Sequence, residues 1–322
     1  MKYGIVFFFL LLLLPYKAQA LCVNLAFGGV PSLVTFEGGS GGYAVYDPQE
    51  YLQTVSFQVR SEATGATCEY FVMLSAGQSG NFNQRKLSEM TNMLDYNAYV
   101  DSGKSHIFKA LPTATQSEII TGSFSIAIAL TQTNNHEFFW AINPQRIVPA
   151  SGMSYADSSL TLSLYSGLLS LSPTLVATKT ITFQARVDSS VDVSLVESGK
   201  TFDIGETTQL VDFGTLESGE QRGFDVVVRS NNGYAVTMQS QNRQLLVHTR
   251  APTIAASVAY SVIFNGGSVD LSTGAPVRII TGTGTTPATG TAFPIEFTVG
   301  TLSGNENAGT YSDVINVEVT AN

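Results

Sequence analysis

The sequence has few of the residues that catalytic and metal sites are built from: three histidines, two cysteines and one tryptophan in 322 positions. His106, His136 and His248 stand far apart, no two at metal-ligand spacing, and read as surface or loop residues. No nucleophile, base and orienting group can be assembled, so no enzyme, cofactor or metal site is expected. Gly38-Gly39-Ser40-Gly41-Gly42 has the letters of a nucleophile elbow, but no helical stretch follows, and it reads as a glycine loop. Gly282-Thr283-Gly284 lacks the last glycine of a dinucleotide loop and reads as a hairpin loop. Charge is scarce too. Asp, Glu, Lys and Arg make up 13% of the chain and leave a net charge of −9, where ordinary domains are about a quarter charged. A nucleic-acid binder needs a basic face, and none is visible. Asp188 and Asp192 are better suited to solubility than to acid–base work.

One apolar run stands out, from Ile5 to Leu14, too short to anchor a chain in a bilayer. Lys2 precedes it, Pro15 breaks it, and Ala18-Gln19-Ala20 has the small-x-small form of a signal-peptidase site. Residues 1–20 are expected to be a signal peptide, with a soluble, exported chain starting at Leu21. In an oxidising compartment the even count of cysteines predicts one disulfide, Cys22–Cys68, worth roughly 4 kcal/mol of loop-closure entropy. Two buried free thiols are the alternative.

What the rest of the chain has in quantity is period-two alternation, punctuated by glycine, asparagine and aspartate. Val55 to Arg60, Phe124 to Ile128, Phe224 to Val228 and Ile315 to Val319 alternate apolar and polar residues. Helical periodicity is weak; Asn83 to Met93 could hold a short helix or a loop. The class predicted is all-β, built as β-sandwiches. The chain also repeats itself in order. Val59-Arg60-Ser61 matches Val228-Arg229-Ser230, Leu94 to Tyr99 matches Val258 to Ile263, and Gly152 to Asp157 is echoed by Gly309 to Asp313. A duplicated domain follows, with residues 21–172 as the first copy, 173–177 as a linker around Pro173, and 178–322 as the second.

At these residues the chain resembles the spore-coat-protein-U type domain, the pilin module of archaic (Csu-type) chaperone–usher pili. The resemblance rests on Gly309 to Asp313 followed by a last alternating strand, on Val211-Asp212-Phe213-Gly214, and on the strand bearing Tyr260. It is better over 183–322 than over 21–172. It implies two immunoglobulin-like, pilin-type sandwiches in tandem, the C-terminal one lacking its last strand. Ile315, Val317 and Val319 would border the resulting groove. A periplasmic chaperone would fill it first, at the outer-membrane usher the N-terminal extension of an adjacent pilin subunit would replace it, and Asn322 would offer the chaperone its carboxylate. With Cys22 tied to Cys68 so near the expected cleavage site, no donor extension remains. The chain then resembles the tip adhesin at the cell surface, a biofilm-forming attachment subunit. The alternatives are a structural minor pilin or coat component, and a carbohydrate-binding module with a polar pocket.

For such a tip the resemblance implies exposed hydrophobic loops that bind an abiotic or host surface. Asn134 to Glu137 looks like a turn, and Phe138, Phe139 and Trp140 follow it. Aromatic rings suit a contact surface, but an ordinary core strand from Phe138 to Ile142, with Trp140 buried, is the favoured alternative. Leu168 and Leu169 beside Gly167 are a second candidate, or the closing strand of the first domain. Val34 and Phe36 are a third, with alternation favouring a strand. The glycine run Gly38 to Gly42, leading to Tyr43 and Tyr46, could be an exposed loop.

Overall fold

The computed structural model describes residues 22–38, 41–62, 67–125, 131–151, 154–250, 252 and 257–322. The expected leader and Leu21, the centre of the glycine run, the end of the Phe124–Ile128 alternation and the start of the Gly152 repeat lie outside the described residues.

Strands in the first half are Val23–Phe27 (β1), Leu33–Thr35 (β2), Leu52–Glu62 (β3), Cys68–Leu74 (β4), Arg85–Glu89 (β5), Asn92–Tyr99 (β6), Ile120–Phe124 (β7), Thr131–Ile142 (β8), Tyr155–Ser166 (β9) and Thr174–Ala185 (β10). Alternation decides which face each residue takes. In β3, Val55, Phe57 and Val59 are buried while Ser56, Gln58 and Arg60 face water. One layer is β1-β3-β8-β6-β5 and the other β7-β4-β9-β10-β2, joined at the single pair Ser88–Ala156. Between the layers lies an aromatic core, in which Trp140 of β8 meets Phe183 of β10 at 4.5 Å between ring centres. The early chain feeds both layers. β1 pairs antiparallel with β3, and β2 pairs in parallel with β10.

Three expectations are corrected here. Residues 173–177 are not a linker. β10 pairs along β9 from Thr174–Ser166 to Ala185–Tyr155, and its Ile181, Phe183 and Ala185 are buried. The boundary therefore lies at about residues 186–190, and the first sandwich closes itself. Asn83–Met93 contains β5 and the start of β6, a hairpin, because Arg85 and Leu87 both point inward with period two. Asn134–Glu137 is no turn. It sits mid-β8, paired with β3 without a break from Glu62–Thr131 to Leu52–Ala141. Its inward polar side chains are satisfied: Asn134 donates to the Tyr70 hydroxyl at 2.8 Å, and His136 Nε2 lies 2.7 Å from the same oxygen.

The second half holds Val191–Val196 (β11), Gln221–Ser230 (β12), Tyr234–Ser240 (β13), Leu245–His248 (β14), Val258–Phe264 (β15), Gly267–Val269 (β16), Val277–Gly282 (β17), Thr291–Val299 (β18), Tyr311–Ser312 (β19) and Ile315–Ala321 (β20). No α-helix occurs among the described residues. Pairing in this half repeats that of the first. β1–β3, β3–β8, β6–β8 and β5–β6 recur as β11–β12, β12–β18, β15–β18 and β14–β15. In the other layer β4–β7 and β4–β9 recur as β13–β17 and β13–β20.

The duplication extends to side chains. Tyr96 donates to Asp157 at 2.9 Å in the first half, and Tyr260 donates to Asp313 at 2.6 Å in the second. Each carboxylate also accepts a backbone N–H from the turn after the equivalent strand, Gln78 after β4 and Asn242 after β13. Burial pushes both phenols well above the ordinary tyrosine pKa. Tyr70 opposes Gly122 as Tyr234 opposes Gly282, and a Cβ at either glycine would stand about 2 Å from the ring (2.4 and 2.2 Å).

Two strands of the first half, β2 and β10, have no counterpart in the second among the described residues. Among the described residues β20 pairs with β13 alone; no strand is hydrogen-bonded to it on the flank where β10 lies beside β9. Val72 and Leu74 of β4 oppose Leu164 and Leu162, as Val236 and Met238 of β13 oppose Val319 and Val317. Leu160, Leu162 and Leu164 are fully buried, whereas Ile315, Val317 and Val319 are only half-buried.

Candidate functional site

Two features of the surface have no role in either core: the end of the first sandwich far from the second, and the bare flank of β20.

β9 runs outward to a hairpin at residues 167–173, and β10 runs back to the linker. At about 3.3 Å per residue, the hairpin stands roughly 36 Å from the junction. The turn is fixed by a backbone bond from Leu171 N–H to the Leu168 carbonyl at 3.0 Å and by Gly167, whose φ of 101° favours glycine. Gly167 N–H donates to the Glu69 carbonyl at 2.8 Å, tying the hairpin to β4. Leu169 packs on a small cluster of Phe71, Met73 and Ile119 that is separate from the main core. Leu168 (39% exposed), Leu171 (54%), Leu175 (51%) and Val176 (41%) face water. Four large apolar side chains grouped on one hairpin are more than scattered surface residues. The expected disulfide is formed between Cys22 and Cys68. It lies at this same end, since Tyr70, two residues on, pairs with Ser166 at the hairpin.

The sequence-predicted contact residues divide accordingly. Leu168 is exposed at the far end and Leu169 anchors the turn beneath it. Phe138 and Trp140 are corrected: they are buried in β8, because alternation turns both into the aromatic core, and Phe139 is half-buried on the opposite face. Trp140 meets Phe36, Tyr96 and Phe183. Val34 and Phe36 are corrected likewise. Both are buried, Val34 within β2 beside β10 and Phe36 against Trp140 and Tyr43. Leu171, Leu175 and Val176 were not among the sequence-predicted contact residues, although the leucines of 168–171 carry an apolar signal at this hairpin. His136 and His248 are not surface residues: His136 is half-buried against Tyr70, and His248 is buried in β14.

The second feature is a sheet edge. Val191, Val193 and Leu195 on β11 are half-buried and pack on the same core as Ile315, Val317 and Val319 of β20. Between these two strands the core is only partly covered. Unpaired strand edges of this kind are templates for another strand.

No group of three or more His, Cys, Asp or Glu side chains that could hold a metal occurs among the described residues. A shallow hollow lined by Gly29, Ser56, Gln58, Asn135, His136 and Glu137 lies on β3 and β8, crossed by a 3.0 Å bond from Gln58 to Asn135.

Residues 24–160 match the family model of the Spore Coat Protein U domain. The match falls on the first sandwich, whereas the motifs read from sequence had placed the stronger resemblance in the second. The first copy carries its own Tyr96–Asp157 pair, a signal the C-terminal motifs overshadowed. No curated protein matches the sequence significantly. Among solved structures, a chain of the CsuC–CsuE chaperone–tip adhesion subunit pre-assembly complex from archaic chaperone–usher Csu pili of Acinetobacter baumannii is similar at 12% identity, over 91% of this chain and 99% of that one, with a TM-score of 0.43. The CupB6 tip adhesin of Pseudomonas aeruginosa is similar at 11% identity, over 94% and 95% of the two chains, with a TM-score of 0.37. CfaE, the adhesive subunit of CFA/I fimbria of enterotoxigenic Escherichia coli, follows at 12%, over 92% and 81%, with a TM-score of 0.32. Likenesses this distant assign no activity to the chain.

Proposed function

We propose that this chain is the adhesive tip subunit of a chaperone–usher pilus of the archaic type. One observation carries the reading. The second sandwich repeats the main strand pairings of the first but has no counterpart of β10 or of β2 beside it among the described residues, leaving half-buried Ile315, Val317 and Val319 on a strand that pairs with β13 alone. An extended segment of an adjacent subunit that paired with β20 would cover those side chains and satisfy the edge by strand addition. Before assembly a periplasmic chaperone would do the same, and the usher would exchange one for the other. The first sandwich supports a terminal place. It closes with its own β10 and so needs no added strand. The contact surface is the far hairpin, with Leu168, Leu171, Leu175 and Val176 binding apolar abiotic or host surfaces and many copies adding avidity.

Immunogold electron microscopy of the producing bacterium, with antibody against residues 21–172, tests the placement. Gold confined to fibre tips supports it. Gold along the shaft, or on a coat without fibres, overturns it in favour of a structural pilin or coat protein. The contact surface is tested by Leu168→Asp with Leu171→Asp. Attachment to hydrophobic surfaces falls while stability changes by less than about 0.5 kcal/mol, as for exposed sites generally. Full attachment by this variant would remove the hairpin from the contact role.

A further inference from the structure

The junction of the two sandwiches holds groups that neither core requires. Arg229, near the end of β12, has its guanidinium 4.4 Å from the Tyr46 ring centre of the first sandwich and 4.0 Å from the Phe202 ring centre of the second. A terminal nitrogen of Arg229 also meets Asp192 at 3.4 Å, and its side chain is 17% exposed. The Tyr46 hydroxyl stands 3.4 Å from Thr286 Oγ1, which accepts the Ser230 N–H at 2.9 Å.

Two residues after Arg229, fully buried Asn231 ties the linker to both halves. Its side chain accepts the Ser190 N–H and donates to the Asp188 carbonyl, both at 2.8 Å. Its own carbonyl accepts the Ala150 N–H of the first sandwich at 3.0 Å. From the other side Tyr43 donates its N–H to the Arg186 carbonyl at 2.7 Å and accepts the Asp188 N–H at 3.2 Å, while Val187 is buried between. A linker bonded in this way has few free dihedrals.

Neighbouring domains in one chain move relative to each other unless their interface is built to prevent it. We propose that Arg229, stacked between Tyr46 and Phe202, is a clamp that fixes the orientation of the two sandwiches, so that the chain moves as one body. The planar guanidinium is essential to it. It offers a face to each ring, whereas a lysine at this position would keep the charge beside Asp192 and lose the stacking. This inference stands whether or not the chain is an adhesin.

Spin labels at Glu137→Cys and Ser268→Cys, exposed positions on opposite sandwiches, report the interdomain distance in the full chain by double electron–electron resonance. The parent gives one narrow distance peak. Tyr46→Ala loses that peak to a broad distribution, and Arg229→Lys broadens it in the same direction. If circular dichroism shows that Tyr46→Ala does not fold, Arg229→Lys decides alone. A broad distribution in the parent, or the parent's narrow peak retained in Arg229→Lys, overturns the proposal.

Discussion

Trp140 is the residue whose environment most changes how the chain is read, and its replacement gives a quantitative test. The side chain is 0% exposed and touches Phe36, Tyr96 and Phe183, with ring centres 5.5, 5.8 and 4.5 Å away. Its indole N–H meets no acceptor among the described residues. Trp140→Ala opens a cavity in this cluster and costs about 3–5 kcal/mol. Trp140→Phe removes two ring carbons and the indole nitrogen, the carbons a loss of roughly 1.6 kcal/mol at about 0.8 kcal/mol per buried carbon. It also removes the orphan donor, whose burial costs about 1–3 kcal/mol. The two effects oppose, so Phe should stay within about 1.5 kcal/mol of the parent. Urea unfolding followed by circular dichroism reads both values, with equal slopes required for the comparison. Fluorescence will not serve, since Trp140 is the only tryptophan. Both variants should attach to surfaces as the parent does wherever they are folded. A cost below about 1 kcal/mol for Ala, or equal losses for Ala and Phe, would refute the packing argument.

Two further outcomes are expected. Burial holds His136 below its ordinary pKa, so the folded chain binds fewer protons there than the unfolded chain. Its contribution to stability is therefore intact above the unfolded value of about 6.5 and is lost as pH falls from there through the lower folded value. His136→Gln should flatten the decline in melting temperature between pH 7 and 5, and an unchanged slope would contradict this. Asp313→Ala strips the partner from Ser240, Tyr260, Asn242 and Val314, and Asp157→Ala does the same to Tyr96, Gln78 and Ser159. Bonds to a charged acceptor are worth about 1.5–3 kcal/mol each, so each variant should lose at least about 3 kcal/mol in urea unfolding, and a smaller loss would show the pair to be dispensable.

Much of the fold was legible because period-two alternation is a local property. β3 and β20 could be read directly from their alternation, and the repeats at Tyr96 and Tyr260 marked equivalent strands. What escaped depended on partners distant in sequence. Polar Asn134 and His136 looked like a turn because nothing local shows Tyr70 waiting across the core to bond them. Pro173 and its small polar neighbours suggested a linker, yet only their pairing with Ser166 and Tyr165 makes the following residues a strand. Arg85 obscured the hairpin at 85–99. A buried arginine breaks the expected apolar pattern, and here it is satisfied by Asn97 and the carbonyls of Ser75 and Phe108. At the candidate site the sequence offered the aromatic cluster first and the leucines second. Burial separates them, since β8 threads the middle of the sandwich and the β9–β10 hairpin ends outside it.

β10 has a consequence beyond closing the first sandwich. It runs unbroken from the exposed hairpin to the linker, with β9 hydrogen-bonded along one side and β2 along part of the other. Tension applied at the hairpin and resisted at the second sandwich would travel along the covalent backbone of this single strand. Ladder bonds lie across the strand axis, so that pull loads them in shear, many together, instead of opening them one by one. The far end could thus be held hard without the first sandwich being unzipped. The mechanical limit would then fall on non-covalent contacts outside it, at the contact surface proposed for Leu168 and Leu171 and at the edge of β20.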